Sequence, residues 1–245
     1  MTLEISYNWV QTTKTPPRRA EPIPPPQILI DEYARHSVEI DSRHNAQTLD
    51  DVAALRRKYA APVFGRVSPW GLIESLGRCI DPTDRRLYCA SQQLHILQII
   101  DAMEEEGAAT DEMLLIALVH DIGKVLLLTD EAPENIVCMN RPIAVCAPGG
   151  GLDNCVFQWN HDEFAYSRLK DHLPDPLAWL VRYHSVVPET CEPYMDARDR
   201  DYYQGYLKPF SRYDHGTKSP FYLPKRRLGD YRPIVDRALP ASMAF

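Results

Sequence analysis

The stretch LVHDIGKVLLL, Leu118 to Leu128, sets His120, Asp121 and Lys124 inside one of the most apolar runs of the chain. A helix that only fills a core has no use for three ionisable groups there, because an unpaired charge in an apolar interior is costly. Adjacent residues on a helix point about 100° apart. His120 and Asp121 can therefore share one metal ion at a helix edge facing a bundle interior, and Asp121 is then free to bridge to a second. A bound divalent cation offsets the desolvation cost and holds the imidazole neutral. A buried His–Asp hydrogen bond alone accounts for these two residues and for no others.

Of the 8 histidines, any one taken singly reads as a surface or satisfied core side chain. His95, His120, His161 and His184 share a feature that shifts that reading: each lies on a predicted helix beside apolar residues, and none sits in a polar patch. Lys124, one helical turn past Asp121, faces the same side.

The elements that must position these residues are helical. AQTLDDVAALRRKYA (Ala46 to Ala60) puts Leu49, Val52, Leu55 and Tyr59 on one face. SPWGLIESLG opens with Ser68 as N-cap and Pro69 at the first helical position, and it stops at Gly77. SQQLHILQIIDAMEEEG (Ser91 to Gly107) is a further helix, and Thr110 caps one that runs through DEMLLIALVHDIGKVLLL. Between Thr129 and Asn160 the prolines and the run Gly149 to Gly151 predict a loop, with a short strand at PIAVCA. Helices resume in HDEFAYSRLKDHL and PLAWLVRYHS. The proline-rich residues 1 to 28 predict an extended arm, and the segment after Pro220 predicts a tail that wraps the surface. The fold class expected is all-α.

A chain of 245 residues can bury a substantial core. A net charge of -7 argues against nucleic acid or an acidic membrane as a partner held by bulk electrostatics. No apolar run approaches the roughly 20 residues that cross a bilayer. No secretion signal is read at the N-terminus. The 6 cysteines form no CxxC pair and read as reduced thiols, so a cytoplasmic protein, monomeric or a small homo-oligomer, is expected.

His95 followed by His120-Asp121, with an aspartate far downstream, resembles the signature of the HD-domain superfamily, an all-α metal-binding fold. GLDNCVFQWNHDEFAYSRLK, WLVRYHSVVP and PFSRYDHGTKSP resemble the myo-inositol oxygenase family within it, and HNAQTLDDVAALRRKY looks like that family's opening helix. The resemblance covers roughly residues 31 to 222. It implies an HD-type helical bundle over 29–222, with the arm before it and a tail, 223–245, packed on it. It also implies an oxygenase with two iron ions in the mixed-valent Fe(II)/Fe(III) state. Such an enzyme takes O2 as co-substrate and cleaves a C–C bond of a small hydroxylated substrate such as a polyol.

By the same resemblance, His95, His120, Asp121 and Asp214 hold one iron, and Asp121 bridges to a second held by His161 and His184. Lys124, Ser185, Lys218 and Asp81 match the family's substrate contacts. Asp162 and Glu163 are expected to support the imidazole of His161 without touching metal. The competing reading is an HD-type phosphohydrolase, which uses metals to activate water. One departure bears on substrate. The interval from His120 to His161 is shorter than in animal members of the family. Its pocket-lining stretch reads VCMNRPIAVCA, with Arg141 where the family has acidic and small hydroxyl residues. Arg141 reads either as an ordinary surface side chain or, because arginine forks onto carboxylates and phosphates, as the sign of an anionic substrate group and poor use of myo-inositol.

Overall fold

The computed structural model describes residues 27–245. The expected N-terminal arm lies outside these residues except at its last two positions, where helix has already begun: α1 spans Gln27–Asn45. This helix escaped the periodicity reading because it buries so little; only Ser37, Ile40 and His44 are fully covered. Next comes α2 (Leu49–Lys58), where Thr48 and Asp51 form a reciprocal capping box. Val52, Leu55 and Tyr59 turn inward as expected, whereas Leu49, in the first turn, is exposed. After a short strand β1 (Arg66–Val67) comes α3 (Pro69–Ser75), which tightens into a 3-10 turn at Leu76–Arg78.

The helices that carry the candidate site follow. α4 is Gln92–Glu105 and α5 is Asp111–Val119. Ser68, Ser91 and Thr110 cap α3, α4 and α5, each side chain accepting a backbone N–H two or three residues into the helix. Each such cap is worth about 1 kcal/mol. α5 is apolar on every side, and Leu114 through Val119 are all buried. A helix with no polar face belongs at the centre of a domain, and α4, α7 and α11 all pack on it.

The stretch between residues 129 and 160 is a loop, as expected, with the small antiparallel pair β2 (Pro142–Ala144) and β3 (Val156–Phe157). Then come α6 (His161–Leu169), α7 (Asp175–Tyr183), the short α8 (Pro188–Cys191), α9 (Ala197–Tyr202) and α10 (Lys208–Gly216). A single π-helical turn, Tyr203–Leu207, joins α9 to α10; such turns shift the register of the helix that follows.

The tail differs from the expected surface wrap. It forms α11 (Arg232–Ala238) and a strand β4 (Met243–Ala244) that pairs with β1. Tyr231, Val235, Leu239, Met243 and Phe245 are all buried. Phe245 meets the Phe164 ring edge-on at 5.2 Å, so the last residues belong to the same core as α6. The sequence masked this because proline and arginine dominate residues 220–233, while the apolar side chains that anchor the tail come one by one. Among the described residues the protein is all-α with two minor strand pairs, and no helix is long and apolar enough to cross a membrane.

Candidate metal centre

Helix ends, rather than helix middles, present the key side chains. The predicted helix through Leu128 stops earlier: α5 ends at Val119, His120 is its C-cap, and the chain tightens into a 3-10 segment, Ile122–Leu128. The reason is close approach. A Cβ on Gly123 would stand 2.1 Å from the carbonyl oxygen of His161, so only glycine lets the first turn of α6 lie against this segment. His161 opens α6 behind its N-cap Asn160, and His184 closes α7 as its C-cap. His95 lies on α4 and Asp214 on α10.

These positions converge. One oxygen of Asp121, Oδ1, is 3.1 Å from His161 Nε2 and 3.4 Å from His184 Nε2; the other, Oδ2, is 3.3 Å from His120 Nε2. His95 Nε2 is 2.9 Å from Asp214 Oδ1, and the His95 and His120 rings lie 5.5 Å apart. Two groups with donor atoms close enough to hold a cation result, His95–His120–Asp121 and Asp121–His161–His184, and Asp121 belongs to both. All of these side chains are buried.

The tautomers are fixed from outside. Nδ1 of His120 contacts the Ala117 carbonyl at 3.1 Å, that of His184 the Val181 carbonyl at 3.0 Å, and that of His161 the Ile136 carbonyl at 2.6 Å. A carbonyl can only accept, so a proton sits on Nδ1 and Nε2 is the nitrogen turned inward. Among the described residues, Nε2 of His120 and of His161 makes no hydrogen bond of regular geometry and faces only carboxylate oxygens, at 3.3 Å for His120 and at 3.0 and 3.1 Å for His161. Buried nitrogens of this kind are costly to leave unsatisfied. Imidazole and carboxylate donors without sulfur suit iron, manganese or zinc, so the donor set fits a resident metal pair.

The electrostatics of the two groups differ. Burial lowers the affinity of His95 for a proton, Lys218 adds to this, and Asp214 only partly compensates, bringing it to about 4. For His161 burial acts the same way but is outweighed by Asp162 and Asp121, which raise it to about 9. Burial disfavours the charge of Asp121 too, yet Lys124 and His120 outweigh it and hold the carboxyl well below the usual range.

A cavity of about 420 Å³ opens onto the cluster. Lys124, Asp81, Ser185 and Lys218, the expected substrate contacts, all line it. Lys124 Nζ lies 2.9 Å from Asp81 and 3.1 Å from Asp121, and Lys218 Nζ lies 2.7 Å from Asp84. Ser185 donates to Asp162 and accepts from Asn160.

Two of the expected residues lie away from the cluster. Arg141 does not line the cavity. Its backbone is held against Gln158 at the start of the β2–β3 pair, with Arg141 N–H donating to Gln158 Oε1 and Gln158 N–H donating to the Arg141 carbonyl. Among the described residues the exposed guanidinium reaches only Asn45, at 3.4 Å. Glu163 also points away from His161, toward Arg182 at 2.5 Å and Arg56 at 3.2 Å. Asp162, by contrast, lies 3.0 Å from His161 Nε2.

Residues the sequence reading passed over include Gly123, Asn160, Asp84, Arg85 and Arg86. Asn160 accepts the Asp162 N–H and donates to the Cys138 carbonyl and Ser185, which ties the starts of α6 and the end of α7 together. Its place before a predicted helix start was the available signal.

The protein is all-α, and its helices gather four histidines and two aspartates into two buried groups that could each hold a metal ion and that share the Asp121 carboxylate. The sequence model described as Myo-inositol oxygenase matches residues 34–138 and 137–245. The chain belongs to that family. Among curated relatives, Inositol oxygenase 1 of Arabidopsis thaliana is 29% identical, over 72% of this chain and 68% of the relative. Inositol oxygenase 2 of the same plant is 28% identical over 83% and 76%, and Inositol oxygenase of Danio rerio is 24% identical over 82% and 86%.

Proposed function

We propose that the chain is a non-haem di-iron oxygenase that uses O2 to cleave a C–C bond of a polyol or a related hydroxylated compound. The observation that carries this reading is the pair of buried donor groups joined through Asp121, with the Nε2 atoms of His120 and His161 turned toward its two carboxylate oxygens. His95, His120, Asp121 and Asp214 would hold one iron, and Asp121, His161 and His184 the other. Bound there in the Fe(II)/Fe(III) state, the pair would supply O2 binding and the one-electron steps that oxidation of a diol requires. The second group has three protein donors, which leaves coordination positions for reactants.

The chain's own part is orientation, water exclusion and proton control. Lys124 reaches from the Asp121 carboxylate to Asp81, so a substrate hydroxyl beside it meets a fixed ammonium donor. Burial opposes that charge, but Asp121 and Asp81 outweigh it and hold the amine protonated. A fixed cation in a site shielded from water stabilises a deprotonated hydroxyl far better than solvent does. Lys218 stands on the Asp214 side at 3.6 Å and offers a second such donor. Ser185, oriented by Asn160 and Asp162, presents a hydroxyl to the same space.

The test is oxygen uptake by the iron-loaded protein with vicinal diols, together with hydrolysis assays on phosphate esters without oxygen. Diol-dependent uptake is expected. Oxygen-independent ester hydrolysis, with no uptake on any diol, would instead assign the chain to the metal-dependent phosphohydrolases.

A further inference from the structure

The cavity holds four basic side chains, and the protein treats them in two ways. Each lysine is matched by carboxylates: Lys124 by Asp81 and Asp121, Lys218 by Asp84 and Asp214. Arg85 and Arg86 are not. Arg85 Nε donates to the Ser37 hydroxyl at 3.3 Å, and Arg86 Nη1 donates to the His215 carbonyl at 2.6 Å. Both acceptors are neutral, and neither arginine forms an ion pair among the described residues.

The loop that carries the two arginines is nevertheless well fixed. Asp81 Oδ1 accepts the Thr83 N–H at 2.8 Å and its hydroxyl at 2.7 Å, while Asp84 Oδ1 accepts the N–H groups of Arg86 and Leu87 at 3.1 and 3.3 Å. Each aspartate thus uses one oxygen to shape the loop and the other to hold a lysine. The arginines are displayed on a backbone that the lysine clamps keep in place. A guanidinium has five N–H donors in a planar fork that fits two oxygens of one anion, and here each arginine commits one of them to a hydrogen bond among the described residues.

Resting on the oxygenase reading above, we propose that the substrate carries an oxyanion such as a carboxylate, phosphate or phosphonate. Its hydroxyls would lie beside Lys124 and the His/Asp cluster, and Arg85 and Arg86 would receive the anion. The anionic selectivity expected of Arg141 thereby moves to the loop between α3 and α4. Asp41 is the counterweight, since it also lines the cavity and forms no ion pair among the described residues. A cationic substituent is therefore the outcome that the test must be able to return.

The experiment is calorimetry on the iron-loaded full chain without oxygen, with myo-inositol, myo-inositol 1-phosphate and an amino-substituted inositol as probes. The phosphate ester should bind at least about 10-fold more tightly than the neutral ring, as a charge-assisted bidentate contact allows. The preference should weaken with added salt. Arg85→Gln combined with Arg86→Gln should bring the ratio of the two affinities close to one, and Arg85→Lys with Arg86→Lys should restore part of it. Because the readout is a ratio, a general loss of folded protein does not imitate it. Equal affinities in the wild type, a ratio untouched by the double substitution, or preference for the amine would overturn the proposal. Oxygen uptake is measured separately, so tight anion binding without uptake on any diol would count against the oxygenase reading and leave the anion site standing.

Discussion

The floor of the cavity and its mouth are built by different means. On the floor, each of three histidines ends or begins a helix and has Nδ1 pinned by a main-chain carbonyl. At the mouth, charges from one loop and from the end of α10 hold one another, and the arginines rest on neutral oxygens. Main-chain anchoring fixes geometry without regard to what binds, which suits groups that must meet a metal at set distances. Charge pairing at a mouth is easier to re-tune, because exchanging one surface side chain disturbs no helix. On the function proposed here, reaction type belongs to the floor and substrate choice to the mouth.

The comparison breaks most visibly at Asp121. Asp121→Ala should remove both metal equivalents together, since the carboxylate belongs to both donor groups; elemental analysis that still finds a full pair would end the shared-bridge account. Gly123→Ala comes next. A methyl placed 2.1 Å from the His161 carbonyl must push α6 away, and overpacking of this kind costs about 1–3 kcal/mol. Thermal denaturation should show the loss, and metal content should fall more at the His161–His184 group than at the other. Asn160→Ala should cost about 1–2 kcal/mol through the lost cap and its bonds to Cys138 and Ser185. The smallest effect is expected at Arg141. Arg141 is exposed and, among the described residues, its side chain bonds only Asn45, so Arg141→Ala should move stability by no more than about 0.5 kcal/mol. It should also leave substrate affinity unchanged, which steady-state kinetics would check.

What was legible in the sequence follows the same division. His95, His120, Asp121, His161 and His184 could be singled out because ionisable side chains stood in apolar helical runs, and the structure brings them to one place. The caps at Ser68, Ser91 and Thr110 were equally plain, because a hydroxyl before a helical period is a local signal. Arg141 misled because a loop residue's direction depends on pairing that its neighbours do not reveal: the β2–β3 register turns it outward. Asp84, Arg85 and Arg86 sit in a stretch with no period at all, and their roles arise only when α1, α4 and α10 close around them. Gly123 carried a signal that went unread, a glycine in an apolar run with no turn to explain it. The inward-facing Phe245 carried none, since nothing local ties it to Phe164.

The central claim is that two irons share Asp121 in this buried site, and the most direct test of it is electron paramagnetic resonance of the iron-loaded protein after partial reduction under limited oxygen. The account predicts a half-integer-spin signal from an antiferromagnetically coupled Fe(II)/Fe(III) pair, absent from Asp121→Ala. Iron that gives only the signal of isolated Fe(III) ions at every stage of reduction, in the wild type as in the variant, would contradict it.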